Sequence, residues 1–309
     1  MKILVTGAGG FVGKYLLRTL LEHKHDVTAI GINNGSFLKD MGITTYVVNI
    51  TDYDVLYEAM KNEMPDAVIH LAAISNIPLS WANPALTVNV NVNGSINVLN
   101  ALQAVNSKAK FLFIGSSDEY GMTAKSGVPL TEDMPCLPQN PYAISKYCAE
   151  QMLLKLGKKY DMNIICTRSF NHFGPGQAQG FAVADFASQI AAIERNEQPP
   201  TIRVGNLSAA RDFTYVQDIV NAYIGLIEQD VDAGVYNICS NNTLKIQNIL
   251  DILVSLSNTK INIVVDEEKL RPIDVPFFAG CYDKIKKATG WEPKCNYAEG
   301  LEKVLQSWR

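Results

Sequence analysis

Short apolar runs alternate with amphipathic stretches through the first half of this 309-residue chain. The runs are rich in β-branched residues and are apolar on both faces, as the strands of a buried parallel sheet are. Predicted strands cover "KILVTG", "HDVTAIGI", "TTYVVNI", "DAVIHLAA", "KFLFIGSS" and "NIICTRSF", and predicted helices cover "GKYLLRTLLEH", "DVLYEAMKN" and "VNGSINVLNALQAV". Strands and helices in regular succession predict an α/β fold, with a parallel sheet covered by helices on both faces.

The alternation of strands and helices becomes less regular after Phe170, where Gly and Pro become frequent in "NHFGPGQAQG" and "NEQPPTIRVG". A smaller second lobe is expected to begin there. The later segments "YVQDIVNAYIGLIEQ" and "GVYNICS" still have the pattern of a helix and a strand of the main sheet. We therefore predict that residues 1–171 form the main domain, that residues 212–240 return to it, and that residues 172–309 mainly form the second lobe.

The amino-acid composition argues against nucleic acids and membranes as partners. The chain is 47% apolar and carries 27 basic and 31 acidic residues without a block of like charge, so no nucleic-acid or membrane partner is predicted.

The first predicted strand starts at Lys2 and no apolar run reaches about 18 residues, so we expect a cytoplasmic protein. The six cysteines form no C-x-x-C pair and are expected to be reduced, and the four dispersed histidines have no metal-ligand spacing, so no metal site is predicted.

A glycine-rich turn follows the first strand. In "VTGAGGFVG", Gly7, Gly10 and Gly13 lie between a strand and a helix. Glycine allows a sharp turn and a close approach to a pyrophosphate, and the free N–H groups at the helix start attract its charge. This position in a strand–helix–strand unit predicts a Rossmann-type, doubly wound domain that binds a dinucleotide.

The end of the second strand bears on the choice of dinucleotide. A site for NAD(H) usually has an acidic residue there for the ribose hydroxyls, but this strand ends at Gly31. Without that carboxylate a 2′-phosphate is not repelled, and Asn33, Asn34, Ser36 and Lys39 offer donors for it. The sequence therefore favours NADP(H), with NAD(H) as the alternative.

Tyr142 and Lys146 lie four residues apart in "NPYAISKYCAEQM". On a helix such residues are neighbours on one face. A cation beside a phenol stabilises the phenolate and lowers its pKa from about 10. Tyr142 is thus a candidate general acid with Lys146 as its modulator.

These motifs together resemble those of the extended short-chain dehydrogenase/reductase family, which includes nucleotide-sugar epimerases, dehydratases and reductases. The resemblance rests on "TGAGGFVG", "HLAA", "NVNG", "GSSDEYG" and "YAISK" along nearly the whole chain. It implies a smaller C-terminal substrate lobe interleaved with the dinucleotide domain. It also implies further cofactor contacts at Phe11, Val12, Asn49, Ile50, Leu71, Ala72, Ala73 and Asn91.

The same resemblance assigns catalytic roles. Ser116 would bond the substrate oxygen together with Tyr142, and Lys146 would also hold the nicotinamide ribose. Ser117 is either a substrate contact or a strand-end cap. Asp118 stands where dehydratases of the family usually carry Glu, so it is a base with a shorter reach, a ligand of substrate hydroxyls or a turn cap.

The second half resembles the branch of GDP-mannose 4,6-dehydratases and GDP-4-keto-6-deoxy-mannose reductases. "RSFNHFGPGQ", "RDFTYVQDIVNAY", "LRPIDVP" and "GCYDKIKKATGWEP" carry this likeness and imply a GDP-sugar substrate bound by Asn171, Arg211, Arg271 and Asp274. Guanidinium groups suit bidentate pairing with diphosphate. The "SSDEYG" and "RPIDVP" forms match the reductases best, which implies reduction of GDP-4-dehydro-6-deoxy-D-mannose at C4 to GDP-D-rhamnose.

Three other functions stay open: a nucleotide-sugar 4-epimerase, a GDP-mannose 4,6-dehydratase, and a non-catalytic dinucleotide sensor. The sensor is the least favoured because such proteins typically lose the Tyr or the Lys, and this chain keeps both. The helices that begin near Val88 and Tyr142 resemble a family dimer interface, so a homodimer is expected.

Overall fold

A computed structural model describes residues 1–33, 36–269 and 275–309. The predicted strands and helices of the first half are all present. The strands are β1 (Lys2–Thr6), β2 (Asp26–Gly31), β3 (Thr44–Val47), β4 (Ala67–His70), β5 (Lys110–Ser116), β6 (Ile164–Ser169), β7 (Asn171–Phe173), β8 (Thr201–Val204), β9 (Ala210–Tyr215), β10 (Gly234–Ile238), β11 (Thr243–Lys245), β12 (Asn262–Val265) and β13 (Phe277–Phe278).

The α-helices are α1 (Phe11–Glu22), α2 (Ser36–Asp40), α3 (Tyr53–Glu63), α4 (Ile77–Ala82), α5 (Pro84–Val88), α6 (Ser95–Val105), α7 (Pro141–Tyr160), α8 (Ala182–Glu194), α9 (Val216–Glu228), α10 (Ile246–Ser255), α11 (Asp283–Thr289) and α12 (Tyr297–Trp308). A π-helical turn, Asn89–Gly94, joins α5 to α6, and short 3₁₀ turns cover Ser117–Tyr120, Met122–Ser126 and Glu267–Lys269.

Seven strands form a parallel sheet in the order β10-β6-β5-β4-β1-β2-β3. Apolar residues of α1 and α9, among them Leu16 and Ile219, cover one face of this sheet. Residues of α3, α6 and α7, among them Leu56 and Leu99, cover the other. This arrangement confirms the predicted doubly wound α/β fold, because each face of the sheet must bury its apolar side chains under helices.

The second lobe has its own core. Helices α8, α10 and α12 pack together around Ile190, Leu250 and Leu305. Strands β7, β9, β11 and β13 form a small sheet beside them, and β8 pairs with β12. Residues 210–215 belong to this small sheet, whereas α9 packs against α1 and β10 lies at the edge of the main sheet.

Helix α7 has a defined start that fixes the position of its first residues. The Asn140 side chain accepts a hydrogen bond of 2.8 Å from the Ala143 N–H, and Pro141 takes the first helical position. The Tyr142 N–H donates to Ser80 Oγ at 3.2 Å. The tyrosine of the predicted pair is thus held at a capped helix end.

Candidate active site

A cavity of about 940 Å³ opens at the carboxyl edge of the main sheet, between that edge and α8 of the second lobe. Ligands of open parallel sheets bind in such a crevice. It brings together most of the predicted site residues: Gly7, Gly10, Phe11, Val12, Gly13, Leu71, Ala72, Ala73, Ser116, Ser117, Asp118, Tyr142, Lys146, Asn171 and Arg211.

The glycine-rich turn is shaped for close packing. Gly7 has a φ of +70°, and a Cβ there would lie 2.6 Å from the Ala72 backbone nitrogen. A Cβ on Gly13 would lie 2.3 Å from the Ala8 carbonyl oxygen, so only glycine lets α1 begin so close to β1. The first turn of α1 faces the cavity. The residues of this turn can therefore bind the pyrophosphate of a dinucleotide.

Helix α1 contributes a cation, Lys14, near the segment that follows β2, and no sequence pattern indicated it. Asn33 is exposed, and its carbonyl oxygen would lie 3.0 Å from a Cβ on Gly9. Lys14 Nζ lies 5.2 Å from the centre of the Phe37 ring, just beyond this strand. Asn34 and the side chains of Ser36 and Lys39 lie outside the described part of the chain.

Ser116 is held at the end of β5 by a reciprocal cap. Its N–H donates to Glu119 Oε1 at 2.8 Å, and its Oγ accepts from the Asp118 N–H at 3.2 Å. Because Oγ accepts from the backbone, its own hydrogen is available for an oxygen in the cavity. Its side chain also acts on the Tyr142 phenol, whose pKa it lowers against the larger effect of burial.

A buried ionic group lies behind Ser116. Arg168 donates to Glu150 of α7 from Nε at 3.0 Å and from Nη2 at 2.7 Å. Its Nε also lies 3.6 Å from Glu119 Oε2. Burial, and then the charge of Glu150, raise the pKa of Glu119 well above its usual range. This group links the 3₁₀ turn after β5 to β6 and α7, next to Ser116.

Lys146 lies on the face of α7 that carries Tyr142 and is 3% exposed. Its Nζ donates to the Ile114 carbonyl at 2.7 Å and lies 4.7 Å from the centre of the Phe113 ring. Burial lowers the pKa of Lys146 to about 8, although the charge of Glu119 acts in the opposite direction. The ammonium is therefore near its titration point at physiological pH.

The expected lowering of the Tyr142 pKa is wrong in this structure. Burial and then the charge of Asp118 raise that pKa, while the hydrogen bond with Ser116 lowers it only in part. The sequence argument relied on the charge of Lys146, which is not among the main causes of the shift, and could not count desolvation by the cavity walls. Tyr142 consequently stays protonated at neutral pH, which is the form a proton donor needs.

Some predicted cofactor residues lie beside the cavity rather than in its lining. Asn49 is exposed, and Ile50 is buried against Gly94. The buried Asn91 amide donates to the Ile74 carbonyl at 3.0 Å and to Ser145 Oγ at 2.9 Å, and accepts from the Ile74 N–H at 2.8 Å. These contacts give Asn91 a positioning role between α7 and the loop after β4.

The predicted substrate residues at the second lobe are only partly described. Asn171 donates to the Asp212 carbonyl at 3.3 Å, and Arg211 donates from Nη1 to the Val275 carbonyl at 2.6 Å. Both line the cavity. Arg271 and Asp274 lie outside the described residues.

The cavity also contains residues that sequence reasoning missed. His172 stacks on Phe11 with 6.1 Å between ring centres and lies within the quoted "NHFGPGQ" motif, which could have drawn attention to it. Gln177 lies in the same motif. Arg203 of β8 and Asn206 just after it also line the cavity, although no local pattern marked them.

A Rossmann-type sheet with a glycine-rich turn, and Ser, Tyr and Lys in one cavity, is typical of the extended short-chain dehydrogenases/reductases. Residues 4–304 match the family model described as GDP-mannose 4,6 dehydratase. The chain belongs to this GDP-mannose 4,6-dehydratase family, which confirms the resemblance predicted from the motifs.

Individual relatives agree with this assignment. The chain is 33% identical to GDP-6-deoxy-D-mannose reductase of Pseudomonas aeruginosa, over 99% of this chain and 97% of that protein. It is similar to the structure of RMD from Pseudomonas aeruginosa complexed with NADPH, with a TM-score of 0.88 and 32% identity over 99% and 98% of the two chains. A UDP-glucose 4-epimerase of Thermus thermophilus complexed with NAD gives a TM-score of 0.89 at 25% identity, over 100% and 99%.

Proposed function

We propose that the protein reduces the C4 ketone of GDP-4-dehydro-6-deoxy-D-mannose to GDP-D-rhamnose, with NADPH as the preferred cofactor. The observation that carries the proposal is that Ser116, Tyr142 and Lys146 line one cavity, which the glycine-rich turn also lines. The similarity to GDP-6-deoxy-D-mannose reductase over nearly the whole chain supports the choice of substrate.

The residues present fit a dinucleotide. Gly7, Gly10 and Gly13 would hold its pyrophosphate against the start of α1, and Lys146 would bond the nicotinamide ribose. The strand end at Gly31 and the nearby Lys14 favour a cofactor with a 2′-phosphate. When bound, the reduced cofactor supplies a hydride.

The protein's own side chains then stabilise the developing charge and donate the proton. As C4 becomes tetrahedral, its oxygen acquires negative charge, which the hydroxyl groups of Ser116 and Tyr142 stabilise by donating hydrogen bonds. Tyr142 transfers its proton to that oxygen and completes the alcohol. The Lys146 ammonium offsets the negative charge left behind. Arg211 and Asn171 would hold the GDP-sugar at the second lobe.

The dehydratase is the second candidate, because Asp118 lines the cavity and its charge acts on Tyr142. A dehydratase would use a carboxylate to remove a proton next to the ketone and would consume no reduced cofactor. Aspartate is one methylene shorter than the glutamate of dehydratases, and this favours the reductase.

Two parallel assays separate these functions. The purified protein is mixed with NADPH and GDP-4-dehydro-6-deoxy-D-mannose, nicotinamide absorbance is followed, and the sugar product is identified by NMR. A reductase oxidises one NADPH per sugar and gives the D-rhamnose product. The absence of net NADPH oxidation would count against the reductase and is the result expected of an epimerase. Water loss from GDP-mannose in a parallel incubation with oxidised cofactor would indicate the dehydratase, and the C4 epimer as reduction product would overturn the stereochemistry.

We also propose that the protein is a cytoplasmic homodimer. Leu86 and Val88 of α5 and Ile144 and Met152 of α7 are between 43% and 50% exposed, which suits a helical interface. Light scattering should give twice the chain mass. The double variant Ile144→Glu/Met152→Glu should be monomeric, whereas Val128→Glu, at an exposed apolar residue outside these helices, should stay dimeric. A monomeric wild type would refute the proposal.

The proposed cytoplasmic location has two supports. Among the described residues, no helix combines the length and the apolar character needed to cross a bilayer. All six cysteines are unpaired, as in a reducing compartment.

A further inference from the structure

Three side chains meet on the surface of the main domain: His23, His25 and Glu228. His23 Nδ1 and His25 Nε2 each lie 2.8 Å from the same oxygen, Oε1 of Glu228. The potential ligand atoms of the three residues all lie within 4.8 Å of one another. Two imidazoles and one carboxylate are the ligand types that Zn²⁺ prefers.

The local backbone places His23 and His25 on the same side of the turn that follows α1. His23 is the C-cap that follows α1, and its N–H donates to the Thr19 carbonyl at 3.0 Å. Lys24 has a φ of +62°, and the His25 N–H then donates back to the Leu20 carbonyl at 3.0 Å. This tight turn stacks the two rings with 6.3 Å between their centres. The pair is therefore presented by a rigid turn rather than by a loose loop.

The third ligand comes from a distant part of the sequence. Glu228 is the last residue of α9, 203 positions after His25, and α9 packs against α1 in the core. The side chains of His23 and Glu228 are 44% and 33% exposed, and that of His25 is 8% exposed. An ion can thus reach the group from solvent, while its most buried ligand is already in place.

The distances suit a metal after a small adjustment. A tetrahedral zinc ion with ligand bonds of about 2.0–2.2 Å separates its ligand atoms by roughly 3.3 Å. Each nitrogen therefore has to move about half an ångström from Oε1. The two nitrogens, which lie within 4.8 Å of each other, have to reach the same separation, and the exposed ends of His23 and Glu228 leave room for both movements. In the present arrangement the ring N–H groups donate to the carboxylate, so zinc would take the place of those hydrogens.

We propose that His23, His25 and Glu228 form a binding site for a divalent transition-metal ion of the zinc class, separate from the catalytic cavity. The ion would connect the α1–β2 turn to the end of α9 and would stabilise the contact between these two helices. Water would fill the remaining coordination position, as it does at other three-ligand zinc sites. The site does not depend on the proposed reductase function.

The test uses the full-length protein after removal of metal with a chelator. Zn²⁺ is titrated in competition with a chromophoric chelator, and Co²⁺ binding is followed through its visible absorption. We expect one ion per chain and a rise in the unfolding midpoint of roughly 5 °C at 100-fold excess over Kd. The Co²⁺ spectrum should lack the thiolate charge-transfer band that binding to any of the six cysteines would give.

Variants make the assignment specific. His23→Ala, His25→Ala and Glu228→Gln should each weaken Zn²⁺ binding at least tenfold and remove the shift in unfolding midpoint. Glu22→Gln changes an exposed carboxylate at the same helix end and should bind like the wild type. His23→Ala alters an exposed side chain, so loss of binding there cannot be ascribed to misfolding. Unchanged affinity in His23→Ala and Glu228→Gln, a thiolate band with Co²⁺, or no binding at micromolar Zn²⁺ would each overturn the proposal.

Discussion

The Glu119 carboxylate accepts a hydrogen bond of 2.8 Å from the N–H of Ser116, three residues before it. This bond sets the direction of the serine at the end of β5. Because Arg168 and Glu150 surround the same carboxylate in the interior, the position of a surface-facing hydroxyl depends on a buried ionic group. The buried side chains of Glu119, Arg168 and Glu150 therefore help to hold Ser116 in place from the interior of the protein.

Replacing Glu119 should separate hydrogen bonding from charge. Glu119→Gln keeps an acceptor for the Ser116 N–H, and the raised pKa of Glu119 reduces the charge that this substitution removes. Its free energy of unfolding and its kcat should stay near wild type. Glu119→Ala leaves the N–H without its acceptor and should lower the free energy of unfolding by about 1–3 kcal/mol, with a clear fall in kcat. Urea unfolding and steady-state kinetics measure both, and an unaffected Glu119→Ala would refute this role.

The glycine-rich turn offers a matched pair of substitutions. Gly7 and Gly42 both have positive φ values, +70° and +66°, but only Gly7 is crowded by the Ala72 backbone. Gly42→Ala should cost only backbone strain of about 1–2 kcal/mol and leave NADPH binding unchanged. Gly7→Ala should cost more and weaken NADPH binding strongly, because the turn must shift. Fluorescence titration with NADPH checks this, and equal affinity in the two variants would argue against the pyrophosphate site.

The pH dependence of the reaction should report on Lys146. A lowered pKa of about 8 means that the side chain is cationic below this pH and neutral above it. If the charge assists the reaction, kcat/KM should fall as pH rises through about 8. Tyr142 cannot produce this fall, because burial and Asp118 raise its pKa. Lys146→Arg keeps a cation throughout, so any residual activity in that variant should not fall near this pH. A flat wild-type profile would contradict the role of the charge.

Asp118 distinguishes reduction from dehydration. Reduction at C4 needs no carboxylate base, so Asp118→Asn should change the rate by less than about tenfold, or about 1.4 kcal/mol in activation free energy. A dehydratase would lose about 10²- to 10⁴-fold with its base. Both reactions are measured on the same variant, with Asp118→Glu as the charge-preserving control. Complete loss of reduction in Asp118→Asn would show that the carboxylate takes part.

The sequence predicted those features that local patterns determine. The six strands of the first half follow from short apolar runs, and the turn from Gly7 to Gly13 follows from glycine spacing between a strand and a helix. The Tyr142–Lys146 pair follows from helical periodicity. Each of these depends on residues close together in the chain, so no knowledge of the tertiary structure is needed.

Features that depend on distant contacts were missed or misjudged. The direction of the Tyr142 pKa shift depends on burial and on Asp118, which lies on another element. Arg203 enters the cavity from β8 in the second lobe. His23 and His25 meet Glu228 only because α1 and α9 pack side by side. Desolvation and long-range packing have no local pattern from which they could be inferred.

The most direct test of the central claim is a single-turnover reduction by Tyr142→Phe. The variant loses only the phenol oxygen, so NADPH affinity should remain within about twofold while the hydride step slows by about 10²- to 10⁴-fold, the usual contribution of a general acid. Nicotinamide absorbance in a stopped-flow instrument, with GDP-4-dehydro-6-deoxy-D-mannose in excess, gives the rate. A steep loss with intact cofactor binding is the predicted result. A rate equal to that of the wild type would contradict Tyr142 as the proton donor.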